Sequence, residues 1–196
     1  MSTDDAPARL DVRAERTRRA LQQAALHLAR AHPLDDATIA EIAQAAGVNR
    51  SSFYQHYADR DTLLADAVEA AEIEVFAGLP MPDGIPATPP ADMIDSLRHY
   101  EADAELYRRL LGERGSPIVA ARIRSRFEQT ARAGIIASGT TEFEGMPVEV
   151  AAAGIAGSTL GVLRAWLELD PRPGVEVAAE WVWRTLIGPG APYASR

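Results

Sequence analysis

Cysteine and lysine are both missing from this 196-residue chain. Without a thiol there is no disulfide framework, no thiolate metal site and no cysteine nucleophile, and the absence suits a reducing compartment. Without lysine, all twenty basic residues are arginine. Beside so much alanine, that bias fits a GC-rich coding sequence better than selection for phosphate binding. The opening "MSTDDAPARLDVRAERTRR" has no apolar segment behind its charges, which argues against a secretory signal and for a cytoplasmic protein. The most apolar uncharged stretch, Val150 to Leu163, has 14 residues, short of the roughly 20 needed to cross a bilayer. It reads as a buried helix, and no membrane partner is expected. Enzyme signatures are lacking too: there is no G-x-S-x-G elbow, no H-E-x-x-H and no histidine pair at ligand spacing. "GIAGSTLG" looks superficially like a nucleotide-binding loop but has the wrong glycine spacing and no strand before it. Neither catalytic residues, metal ligands nor a cofactor are expected.

What the chain does have is an ordinary globular composition, 47% hydrophobic and 24% charged, and therefore a buried core. Its net charge of −8 seems hostile to a nucleic-acid partner, but the charge is unevenly placed. Residues 1 to 60 are balanced, eight arginines against eight acids, and the whole deficit lies in residues 61 to 196. Local rather than total charge governs steering.

Helical periodicity runs nearly throughout, and no alternating strand pattern stands out, so the fold class is all-α. Leu10, Ala14, Thr17, Leu21, Ala24 and Leu28 form one apolar stripe on a first helix ending near His32 and Pro33. Thr38 opens a short second helix, and Glu41 three residues later completes a capping box; Ile39, Ile42, Ala43 and Ala46 face inward. Gly47 ends it, as a residue able to take positive φ does. Asn49 caps a third helix, buried through Phe53 and Tyr57, and Asp59 caps a fourth that reaches about Phe76. With Phe53 and Tyr57 inside, Arg50 and Tyr54 share an outer face with Ser51 and Gln55. Two short helices around a glycine-containing turn form a helix-turn-helix, whose second member enters the major groove of DNA. Arg50 can pair bidentately with guanine, and Ser51 or Ser52 can contact several bases. Thr38, Tyr54, His56 and Arg60 are candidates for phosphate, as is the arginine run 13, 16, 18 and 19, for which a solvated face is an equal reading.

The stretch "TIAEIAQAAGVNRSSFYQHYADRDTLLADAVE" resembles the DNA-binding region of the TetR family of bacterial transcriptional regulators, through its T-hydrophobic-x-x-I-A-x-x-A-G-V core and the Y-x-H-aromatic ending. The resemblance implies an N-terminal three-helix DNA-binding domain in residues 1–60, helix four connecting, and a helical effector-binding and dimerisation domain in residues 61–196. It also implies a homodimer on a palindromic double-stranded operator. Carried over position by position, Arg50, Ser51 and Ser52 face bases, and Tyr54, Gln55 and His56 lie along the backbone, with Asn49, Thr38 and Arg60 around them. Arg60 stands where the family usually has lysine. Tyr57 replaces the commoner phenylalanine, a change expected to matter little for a packed aromatic.

Beyond Phe76, "GLPMPDGIPATPPADM" holds five prolines, too many for helix. Helical pattern returns at Met93, Ile94, Leu97 and Tyr100, then Leu106, Tyr107, Leu110 and Leu111. Ser116-Pro117 opens a further helix, and "ASGTTEFEGMP" is a second loop. In the last two helices, roughly 147–169 and 175–186, Gly154, Gly157, Gly161 and Ala165 make a row of small residues, with Trp181 and Leu186 as large partners. A helix glycine costs about 0.5 to 1 kcal/mol relative to alanine, so the row needs a packing reason. Packing within the chain would supply one; the resemblance favours a dimer interface. Leu97, Tyr100, Tyr107, Phe127, Ile155 and Trp166 are candidate walls of a pocket for an apolar small-molecule effector, though each suits ordinary core as well. The alternative is a helical protein-interaction or ligand-sequestering module without DNA binding, which has no use for Arg50, Tyr54, His56 and Arg60 on one surface.

Overall fold

The computed structural model describes residues 5–31, 37–76, 88–141 and 143–187. The expected first-helix terminus at His32 and Pro33, and most of the proline-rich connection, lie outside them. Among the described residues there is no strand, and the helices run in the order α1 (Asp5–Ala31), α2 (Ile39–Ala45), α3 (Arg50–His56), α4 (Arg60–Phe76), α5 (Ala91–Ala102), α6 (Ala104–Leu111), α7 (Pro117–Ser138), α8 (Val148–Glu168) and α9 (Val175–Ile187).

The chain divides into two compact units, Met1–Glu72 and Ile73–Arg196. In the first, α1 packs on α2 and α2 on α3. Its core gathers Leu21, Ala25, Ile42, Phe53, Leu63 and Val68, all essentially without solvent contact. Six consecutive residues of α4, from Leu63 to Val68, are buried. This stretch of the helix is enclosed on every side, not along one apolar stripe, and Asp66 within it must therefore find partners.

In the second unit α8 is the hub, packing on α6, α7 and α9, while α5 packs on α9. The turns follow the sequence closely. Ser116 accepts from the Val119 N–H with Pro117 at the first helical position, and Gly139 closes α7 at φ 57°. The segment from Met93 to Leu111 is not continuous: it breaks at Asp103, where α5 and α6 meet. One expectation needs correcting. Val150 to Leu163 is not a buried helix, because α8 hides only one face. Ala151, Ala152, Ala156 and Leu163 are inside, but Val150 is 56% exposed and Ala153, Gly154, Gly157 and Gly161 are open. By length and composition alone the 21-residue α8 would pass for a membrane span; its buried side is spent on neighbouring helices.

Candidate nucleic-acid interface

The site is built from local chemistry outward. Thr38 is the N-cap of α2 in extended conformation, its hydroxyl accepting from the Glu41 N–H (3.2 Å) while the Glu41 carboxylate accepts from the Thr38 N–H (2.9 Å). The hydroxyl also donates to Glu41 (2.8 Å). Both halves of the capping box are thus present. Gly47 then takes φ 68°, and the turn closes through Gly47 N–H to Gln44 O and Val48 N–H to Ala43 O. A left-handed residue here redirects the chain after only four residues, and Asn49 starts α3. Its side-chain oxygen accepts from the Ser52 N–H (2.8 Å) and from both hydroxyls, Ser51 (2.6 Å) and Ser52 (2.9 Å). Asp59 caps α4 by accepting from the Thr62 N–H (2.7 Å), and that bond draws its carboxyl below the ordinary range.

The outer face of α3 has the expected composition. Arg50, Ser51, Tyr54 and Gln55 are exposed, with Ser52 and His56 half-buried. Arg50 lies over the Tyr54 ring, 5.7 Å from its centroid, and donates to the phenol at 3.3 Å. Tyr54, itself 49% exposed, is braced from behind by an edge-on contact with buried Phe53, ring centroids 5.4 Å apart. From Ala46 to Ala58 there is no acidic residue, so on a chain of net charge −8 this surface presents one cation and many hydrogen-bonding groups without a competing carboxylate. Arg60 is less free to reach outward: it points to Asp61 and the Ala37 carbonyl, each at 3.5 Å.

Sequence reasoning missed the interior of the same unit. Asp66 of α4, 8% exposed, accepts from Arg18 through Nε (2.9 Å) and Nη2 (2.6 Å), from Gln22 Nε2 (2.8 Å), and from the Tyr57 hydroxyl. Arg18 also donates to the Tyr57 oxygen at 3.4 Å. Burial pushes the Asp66 carboxyl up, but the bonds from Arg18, Tyr57 and Gln22 overcome this and hold it at about 2. Burial, and then the bond to Asp66, push the Tyr57 phenol up to about 12; the same partners raise Arg18. So Arg18 is not one more member of the solvated run. Arg19 does pair along the surface, with Glu15 at 2.9 Å. Nor is the Tyr57 hydroxyl inconsequential, as the sequence comparison with phenylalanine suggested. No local signal gives this away, because the partners lie 39 and 48 positions apart in the chain.

In the second unit, three of the candidate pocket residues come together. Tyr100 meets Tyr107 edge-on at 4.7 Å and Phe127 at 6.3 Å, and His99 Nε2 lies 2.6 Å from the Tyr107 hydroxyl. Leu97, Tyr100, Tyr107 and Trp166 are buried, whereas Phe127 and Ile155 are half-buried. Trp166 is engaged at the α8–α9 connection, donating to Pro173 O at 2.8 Å beneath the Arg172 guanidinium. In the first unit an open depression of about 790 Å³ lies along α1, lined by Val12, Glu15, Arg16, Arg19, Ala20 and Gln23. On α8, a methyl group placed on Gly154, Gly157 or Gly161 would meet no described residue within 4 Å; Trp181 and Leu186 of α9 are half-buried and Ala165 is exposed. Among the described residues no three His, Cys, Asp or Glu side chains gather as a metal site would need.

Residues 21–67 match the model of a family described as bacterial regulatory proteins, tetR family. The resemblance read from the sequence is therefore borne out over the segment that contains α2, α3 and, of the Asp66 cluster, Gln22, Tyr57 and Asp66. Among solved structures, a TetR transcriptional regulator from Streptococcus agalactiae 2603V is similar with a TM-score of 0.63 and 20% identity, covering 92% of this chain and 98% of that one. A tetR-family transcriptional regulator from Streptomyces coelicolor gives 0.60 and 22%, covering 88% and 81%. The dihydroxyacetone kinase operon activator DhaS gives 0.62 and 13%, covering 87% and 94%. No curated protein matches by sequence.

Proposed function

We propose that this DNA-binding transcriptional regulator, its helix-turn-helix matched to the tetR family over residues 21–67, works as a homodimeric repressor that a small apolar effector releases from a palindromic operator. The observation that carries the DNA-reading role is the outer face of α3, where Arg50 rests on Tyr54 with Gln55 and the two serines beside it and no acid nearby. Arg50 supplies the bidentate donor that suits guanine, and Tyr54 and His56 supply phosphate contacts that set the register. Thr38 and Asn49, occupied as caps, act by holding the frame. Arg60 reaches phosphate only by leaving Asp61, so its contribution is the smaller.

A twofold dimer pairs two recognition helices with two half-sites. The open row Gly154, Gly157, Gly161 and Ala165, flanked by Trp181 and Leu186, supports α8 and α9 as the seat of the second copy: no described residue packs where a side chain on the three glycines would stand. The effector is placed where Tyr100, Tyr107 and Phe127 meet. Its preference for one arrangement of the dimer shifts the population away from the spacing that fits DNA, and binding of the two ligands opposes reciprocally. One structural neighbour is described as an operon activator, so the direction of regulation is decided by a transcription assay and not by the fold.

The test is selection of genomic fragments by purified protein beside an Arg50→Ala, Tyr54→Ala double variant, at two salt concentrations. The wild type should enrich a few palindromic sites, more weakly as salt rises, and the variant should not. Equal enrichment by both proteins would refute reading by α3, and would leave the second unit as a ligand- or protein-binding module.

A further inference from the structure

We infer that Asp66 is a positioning residue for DNA reading: through the Tyr57 hydroxyl it fixes the rotation of α3, and through Arg18 and Gln22 it ties that setting to α1. The inference rests on the reading of α3 as the recognition helix.

A helix of seven residues has too few hydrogen bonds to hold its own orientation, so its neighbours must set it. Phe53 anchors α3 by packing, and a phenylalanine ring at position 57 would add more packing of the same kind. Packing tolerates small rotations. A hydrogen bond does not, since its donor and acceptor must stay within a few tenths of an ångström. Tyr57 is attached to the last turn of α3 by its own N–H, which donates to Phe53 O at 2.9 Å. Its hydroxyl reaches Asp66, which is gripped from the other side by both Arg18 nitrogens and by Gln22. The four donors come from two other elements, so α1, α3 and α4 meet on a single carboxylate.

The lever arm makes this relevant to recognition. A 15° turn of α3 carries a side-chain tip some ~8 Å from the axis through roughly 2 Å, several times what a bidentate contact to a base tolerates. Non-specific phosphate attraction, being long-ranged, is hardly altered by such a shift. The positioning role therefore appears in the ratio of operator to non-operator affinity. Asp66 at about 2 and Tyr57 at about 12 keep the network in one protonation state over the range in which the protein works, as a fixed strut.

The experiment compares wild type, Tyr57→Phe, Asp66→Asn and the double variant, full-length and well below their melting temperatures. It reads amide exchange across α3 in the free protein, and affinity for the selected operator and for a scrambled fragment of equal length. Tyr57→Phe keeps the packed ring, so it folds even where Asp66→Asn is impaired. Expected are about tenfold faster exchange near Phe53 to Tyr57 and about tenfold weaker operator binding, the equivalent of roughly 1.4 kcal/mol, with the scrambled fragment bound as before. In the Asp66→Asn background, where the amide oxygen is left as a weaker acceptor, Tyr57→Phe should add less than it does in the wild type. Operator affinity within twofold of wild type in Tyr57→Phe, equal losses on both fragments, or additive effects in the double variant would each overturn the inference. If the wild type prefers no operator, the DNA-reading assignment itself fails. The exchange measurement then decides alone whether Asp66 sets α3, unchanged exchange in Asp66→Asn refuting it.

Discussion

Replacing Gly154, Gly157 and Gly161 together by alanine should move two properties in opposite directions. None of the three has positive φ, and among the described residues an added methyl on any of them meets nothing within 4 Å. In an isolated chain each substitution therefore removes only the backbone entropy that glycine loses on entering a helix, about 0.5 to 1 kcal/mol per site. The triple variant should be more stable as a monomer by about 1.5 to 3 kcal/mol. A second copy seated on the same stripe changes the sign. Methyl groups inserted into a close helix contact cost about 1 to 3 kcal/mol through overpacking, which raises the dimer dissociation constant about ten- to a hundredfold. Trp166, Trp181 and Trp183 all belong to the second unit, so tryptophan fluorescence in urea reports on its unfolding without interference from the first. Dilution series at several protein concentrations separate monomer stability from association, and sedimentation gives the dimer constant directly. A triple variant that gains stability yet dimerises as the wild type does would remove the stripe from the interface. One that loses monomer stability would refute the account of α8 as open.

Three other perturbations have defined signs. Asn49→Ala deletes the acceptor for the Ser52 N–H and both serine hydroxyls and should destabilise the first unit by about 1 kcal/mol, seen in far-UV circular dichroism while the tryptophan transition stays put. Gly47→Ala forces a side chain into φ 68° and should cost about 1 to 2 kcal/mol although space is free, with Gly47→Asn costing less; equal losses for the two would contradict a conformational origin. The Asp66 carboxyl is held below its unfolded value of 3.8, so its contribution, about 2 kcal/mol, is fully present above pH 3.8 and lost as the pH falls through about 2. For Tyr57, raised from 10 to about 12, the contribution is present below pH 10 and lost as the pH rises through about 12. Carboxyl-carbon titration of Asp66 by NMR showing a midpoint near 4 would sink the first statement, and a Tyr57 phenol titrating near 10 the second.

The parts of the fold that follow from neighbours in sequence were legible. Thr38 with Glu41, Asn49, Asp59 and Ser116-Pro117 each announce a helix start through side chains that bond two or three residues away, Gly47 announces an end through its positive φ, and each end lies where its cap is. Parts that depend on remote partners were not. Arg18 is one arginine in a run until Asp66 is folded against it, and a tyrosine hydroxyl at position 57 has no meaning without that carboxylate. Similarly, Leu97, Tyr100 and Tyr107 fit a cavity wall and a packed core equally well by residue type, and the burial and ring contact of the two tyrosines suit both. For α8, apolarity suggested burial, but alanine and glycine make a helix apolar without saying which face is covered.

If α3 reads DNA as proposed, the Asn49 oxygen has a consequence for which base pairs it can favour. A serine hydroxyl has one hydrogen, and those of Ser51 and Ser52 are both directed to Asn49; what remains to face a groove is lone pairs. Arg50 has only hydrogens to offer. The surface is thus polarised into a giving end and a receiving end: guanine edges complement the arginine, and the amino groups of adenine or cytosine complement the serines. Such an alphabet is narrower than the side chains alone would allow, and the restriction is written by a residue that need never touch the DNA.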